Sequence, residues 1–198
     1  LGQMQDAVKS FEQVIALQPD YAEAYNNLGT TLEEMGQLDE AVNCYEKALG
    51  IQPDDVNVLN NLGSTHNLLG QNNEALNSYK QVLSINPDSA AAHNNIGIIY
   101  QEMGQVEEAI KYYTKVITIN PEHAEAHNNL GSCYNTLKQF DAAIKSYGKA
   151  IAINPNHADT HSNLGIALHE LGQSDEALNS FKQVLIINPN DAGAFNYI

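Results

Sequence analysis

The sequence has no Arg and no Trp, only two Cys and only six Pro, and no long apolar run. Each shortage excludes something. Arg clamps phosphate bidentately, so its absence argues against nucleotide chemistry. No apolar stretch approaches the ~18 residues that span a bilayer. No secretory signal pattern opens the chain. Positive charge is also scarce: nine Lys stand against 24 Asp and Glu, for a net charge of -15 at pH 7. Such a chain repels nucleic acid and anionic membrane surfaces, because both require a basic footprint. A basic partner is favoured instead.

What is present is a period. The six prolines are Pro19, Pro53, Pro87, Pro121, Pro155 and Pro189, and every interval between them is 34 residues. Gly29, Gly63, Gly97, Gly131 and Gly165 keep the same interval. So do Ala41 and Ala75, and the aromatics Phe11, Tyr45, Tyr79, Tyr113, Tyr147 and Phe181. Self-similarity at a fixed period of 20–50 residues is the mark of a stacked array.

The unit from Ala90 shows His93, Ile96-Gly97, Tyr100, Ala109, Tyr113 and Pro121; the next shows His127, Leu130-Gly131, Tyr134, Ala143, Tyr147 and Pro155. In these residues the chain resembles the tetratricopeptide repeat (TPR) family. The resemblance implies an all-α fold, a right-handed superhelical α-solenoid of helix-turn-helix repeats. The expected units are 22–55, 56–89, 90–123, 124–157 and 158–191, with a second helix alone in 1–21 and the start of a further repeat in 192–198. Gly36, Gly70, Gly104 and Gly172 are expected to stop the first helices, and the prolines the second. Tyr45 and its equivalents are expected to fill the gap between neighbouring units. Phe195, Tyr197 and Ile198 are expected to leave apolar surface open, so the array continues or its ends stack on other copies.

The family resemblance places the first helices on the inner, concave face. Each complete first helix carries an Asn before its Leu-Gly or Ile-Gly pair: Asn27, Asn61, Asn95, Asn129 and Asn163. Asn26, Asn60, Asn94 and Asn128 double it. Asn is a weak helix former, so the repetition needs a reason. First helices carry acids and no Lys, with Glu23, Glu34, Glu102, Glu125, Asp159 and Glu170 as candidate contacts. Eight of the nine Lys fall on second helices, and Lys138 falls in a turn. An Asn amide can pair with both the N–H and the C=O of a peptide. Five rungs at ~10 Å span ~40 Å, about 12 residues of extended chain. The arrangement is similar to the asparagine ladder in the repeat arm of O-linked N-acetylglucosamine transferases, which implies a peptide-holding arm here. The competing reading is that the amides bond the neighbouring helix and set the stacking.

The expected function is therefore a protein-binding scaffold for an extended polypeptide with basic residues. Alternatives are the targeting arm of a larger enzyme, glycosyltransferase-like, and a module that forms homo-oligomers through its uncapped ends or convex face. No phosphate loop, nucleophile elbow or dinucleotide fingerprint is present, and no catalytic residue or cofactor is expected. His127 and His161 take the slot of Tyr25 and Leu59 in sister units, so they read as half-buried packing residues rather than metal ligands. Cys44 and Cys133 lie three units apart, ~25–30 Å at this layer spacing. That is beyond the roughly 7 Å a disulfide allows, and reduced thiols suggest a cytoplasmic setting.

Overall fold

The computed structural model describes residues 2–197. Among them are twelve helices and no strand. They are α1 (Gly2–Leu17), α2 (Ala22–Glu34), α3 (Leu38–Ile51), α4 (Val56–Leu68), α5 (Asn72–Ile85) and α6 (Ala90–Glu102), followed by α7 (Val106–Ile119), α8 (Ala124–Thr136), α9 (Phe140–Ile153), α10 (Ala158–Glu170), α11 (Ser174–Ile187) and α12 (Ala192–Phe195). Two compact units result, Leu1–Asn95 and Ile96–Ile198. In the first, α2 pairs with α3 and α4 with α5; in the second, α8 pairs with α9 and α10 with α11. Consecutive packed helix pairs of this kind make an α-solenoid.

Local chemistry sets the helix ends. After α2 the chain turns through Gly36 at φ 77°. The Gly36 N–H donates to the Glu33 carbonyl and the Gln37 N–H to the Leu32 carbonyl, both at 2.9 Å. This is a Schellman motif, which glycine enters without Cβ strain. The turn between α8 and α9 builds the same two bonds with Lys138 at φ 57°. Second helices end just before each Pro because the preceding residue must leave the α region; Gln52 sits at φ -128°, ψ 86°.

The core lies between the helices of each pair. Ala41, Ala75, Ala109 and Ala143 are fully buried, so the backbones come close. The aromatics reach the next unit, Tyr45 packing in one cluster with Val58 and Leu62 and Tyr113 with Leu130 and Cys133, and they do a second job. A Cβ on Gly29 would lie 2.7 Å from the Tyr45 ring, and one on Gly97 would lie 2.7 Å from that of Tyr113. Each ring thus fills the space its own hairpin's glycine leaves open, rather than only the gap to the next unit. At the C-terminal end Phe195 and Tyr197 are both exposed, although the Tyr197 ring stacks on Phe181 with centroids 4.3 Å apart. Ile198 lies outside the described residues.

Candidate functional site

Within each unit the first helices of successive hairpins touch directly, α2 with α4 and α8 with α10. This brings the Asn positions of neighbouring repeats within reach of one another. In the first unit the Asn61 amide donates to the Asn26 carbonyl oxygen at 3.0 Å. In the second, Asn163 donates to Asn128 at 3.3 Å, and the Thr160 hydroxyl donates to the same oxygen at 3.1 Å. Asn95 lies beside the Tyr79 hydroxyl, and Asn129 beside that of Tyr113. The doubled Asn thus links repeats at two junctions, Asn26 to Asn61 and Asn128 to Asn163, where the leading Asn accepts and the following one donates a single N–H. The Asn60 and Asn94 carbonyl oxygens are buried without a hydrogen bond.

The amides differ in how far this commits them. Asn94 is buried, and Asn60 donates to the Val56 carbonyl of its own helix at 2.8 Å. The Asn27 side chain is half-buried and makes no hydrogen bond in the structure. Asn61 and Asn163 keep their carbonyl oxygen and a second N–H. The half-buried rows Asn27 and Asn61 in one unit and Asn129 and Asn163 in the other thus retain hydrogen-bonding capacity at the surface.

All six candidate acids are exposed. Glu23, Glu125 and Asp159 lie in the first turns of α2, α8 and α10, where a carboxylate complements the helix dipole. Glu23 also accepts from the Tyr21 hydroxyl at 2.8 Å. Glu34, Glu102 and Glu170 end their helices, where the dipole disfavours negative charge. Every Lys of a helix is on α1, α3, α5, α7, α9 or α11. An ion pair joins Lys111 to Glu108 within α7.

Glu33 is a structural residue that the repeat pattern did not single out. Its carboxylate accepts from the Tyr45 hydroxyl at 3.1 Å and from the Thr65 hydroxyl of the next hairpin at 2.6 Å. Burial pushes the Tyr45 phenol up to about 12, and the nearby Glu33 charge adds to this against the opposing Thr30 bond. One period further along, Asn67 takes the same slot; two periods along, Gln101 accepts from Tyr113 at 3.0 Å. The slot varies in residue type, through Asn135 to His169 in later units, and bonds the ring hydroxyl at Glu33 and Gln101, which is why a search for identical residues passes over it.

The histidines are structural here. His93, His127 and His161 each bond a proline carbonyl six residues back, at 2.9, 3.0 and 2.9 Å. His123 and His157 cap α8 and α10 by accepting from the backbone N–H of Ala126 and Thr160. Both Cys are free; burial pushes the Cys133 thiol up to about 11.

The chain matches the tetratricopeptide repeat family over residues 1–54, 20–88, 88–156 and 122–187. It belongs to that family, whose members are in general protein-interaction scaffolds. A crystal structure of MamA is 30% identical over 83% of this chain and 96% of that one, with a TM-score of 0.77. MamA from residue 41 onward of Desulfovibrio magneticus RS-1 is 22% identical, covering 86% and 97%, with a TM-score of 0.79. YrrB, described as a TPR protein with an unusual peptide-binding site, is 20% identical over 96% and 97%, with a TM-score of 0.75. The two lower identities speak for the fold alone. No curated protein matches. No helix among the described residues is long and apolar enough to cross a membrane.

Proposed function

We propose that the chain holds an extended polypeptide carrying basic residues along the amide-lined, acidic face of its first helices. The array is read as five full repeats, 22–55, 56–89, 90–123, 124–157 and 158–191, each contributing one rung. The observation that carries this reading is segregation. What segregates is positive charge: the surface amides and carboxylates of the first helices share those helices with no Lys, whereas every helical Lys lies on a second helix. An extended backbone supplies N–H and C=O groups that match the capacity left on Asn27, Asn61, Asn129 and Asn163. Basic side chains meet Glu34, Glu102, Glu125, Asp159 and Glu170. The same mode of holding a client is what the likeness to the repeat arm of O-linked N-acetylglucosamine transferases suggests.

The test is fluorescence anisotropy with labelled peptides of about 12 residues, basic and neutral, against wild type and N27A/N61A/N129A. Each lost amide–peptide bond is worth about 1 kcal/mol, so the triple variant should bind at least ~10-fold more weakly. Unchanged affinity in a folded variant refutes the ladder and leaves the amides as stacking groups.

A further inference from the structure

A cavity of 410 Å³ opens in the second unit between α6, α7 and α8, lined by Ile98, Gln101, Glu102, Tyr113, Glu125 and Asn129. It is near the small end of the range for ligand sites. That is room for one long side chain, not for a cofactor. Its floor is already satisfied. The buried Tyr113 hydroxyl donates to Gln101 at 3.0 Å with Asn129 beside it, while the Gln101 amide donates to Ser132 at 3.3 Å. What stays open is an apolar wall at Ile98 and two carboxylates.

Those carboxylates are placed differently. Glu125 occupies the first turn of α8, where its charge has an ordinary structural role. Glu102 is the last residue of α6, against the dipole of its own helix. Neither has a hydrogen bond or ion pair in the structure. Both are close enough to act on Tyr113: burial raises its pKa first, and charges including those of Glu125 and Glu102 add to that. No Lys lies on α6 or α8 to neutralise them. The cavity thus has two acceptors of like charge, no internal cation and an aliphatic wall.

We infer that this cavity is the pocket for one arginine side chain of the bound polypeptide. The inference rests on the peptide-holding reading above and adds to it a position and a residue type. A guanidinium offers five N–H donors in a planar fork, so it can serve both carboxylates at once. It is also more weakly hydrated than an ammonium and packs better on an apolar wall. Lysine brings a compact, strongly hydrated charge and fits less well.

The experiment uses the whole chain and a set of 12-residue peptides identical except at one central position: Arg, Lys, or citrulline, the uncharged isostere of Arg. Because the carboxylates are exposed, screening limits the gain. The Arg peptide should bind roughly 5-fold more tightly than the citrulline peptide, with Lys between them. In E102Q/E125Q the three peptides should bind alike, at the wild-type affinity for citrulline. Raised salt should weaken only the Arg and Lys peptides. Equal wild-type affinity for Arg and citrulline overturns the pocket while leaving the peptide-holding reading intact. An Arg preference that survives in E102Q/E125Q also overturns it. Failure of every peptide to bind the wild type overturns both.

Discussion

Lys138 is held at φ 57° in a turn where four sister turns use glycine. Left-handed backbone costs a residue with a Cβ about 1–2 kcal/mol. Replacing it by glycine removes that strain but returns unfolded-chain entropy of about 0.5–1 kcal/mol. It also removes a cation from the C-terminal end of α8, a loss of about 0.3 kcal/mol at an exposed site. The balance for K138G is a gain of about 0.5 kcal/mol. The reverse swap at the sister turn, G104K at φ 72°, loses a similar amount. Stability in a repeat array is local, so one melting curve is a blunt reading. Native-state hydrogen exchange of the amides flanking the two turns is the sharper assay. Protection should rise around residues 134–143 in K138G and fall around 100–109 in G104K, by about 2-fold in each case. The thermal midpoint should move by about 1–2 °C in opposite directions. Destabilisation by K138G, or two shifts of the same sign, would refute the strain argument.

N27A removes an amide with no hydrogen bond from a helix interior, so it should raise stability by about 0.5 kcal/mol through helix propensity while weakening peptide binding. N61A loses its bond to Asn26, worth about 1 kcal/mol, so it should come out slightly destabilised; urea melts of the two variants check both signs. Cys133 and Tyr45 hold their protons more tightly when folded, with pKa values raised by burial to about 11 and 12 from unfolded values near 9 and 10. Their stabilising contribution is therefore complete below about pH 9 and is lost as pH rises through 11 to 12. A pH series of urea midpoints should fall over that window, and Y45F should flatten its upper part.

The architecture was legible because it is written in identity: the same Pro, Gly and Ala return every 34 residues. The helix stops were legible for the same reason at Gly36 and its sisters. At Lys138 the turn was legible but its left-handed backbone was not, because the turn keeps its geometry while its residue type changes. Spacing points to the Tyr45 ring's place between repeats, but it does not show which backbone lacks a Cβ beneath the ring. Gly29, 16 residues upstream, is that backbone. The Asn rows were legible as rows, but their division into acceptor and donor needed coordinates. Only the touching of α2 with α4 and α8 with α10 makes Asn26 and Asn128 acceptors for the following repeat.

The departures from local preference concentrate on the first helices. Asn in mid-helix is a poor former, and part of that deficit is offset by the bonds between repeats, as at Asn61 and Asn163. No such compensation exists for Asn27. Nor does it exist for Glu34, Glu102 and Glu170, which share one repeat position in alternate units and stand against their helix dipoles. Glu125 and Asp159 have a sufficient structural reason at helix starts, and Glu33 has one in Tyr45 and Thr65. Setting those aside leaves a small set of residues that folding does not explain. In a chain whose repeats otherwise agree at every level, such residues are the ones expected at a functional surface. Glu102, which has no folding role and opens onto an apolar-walled cavity, is the member of that set most directly shaped for a ligand.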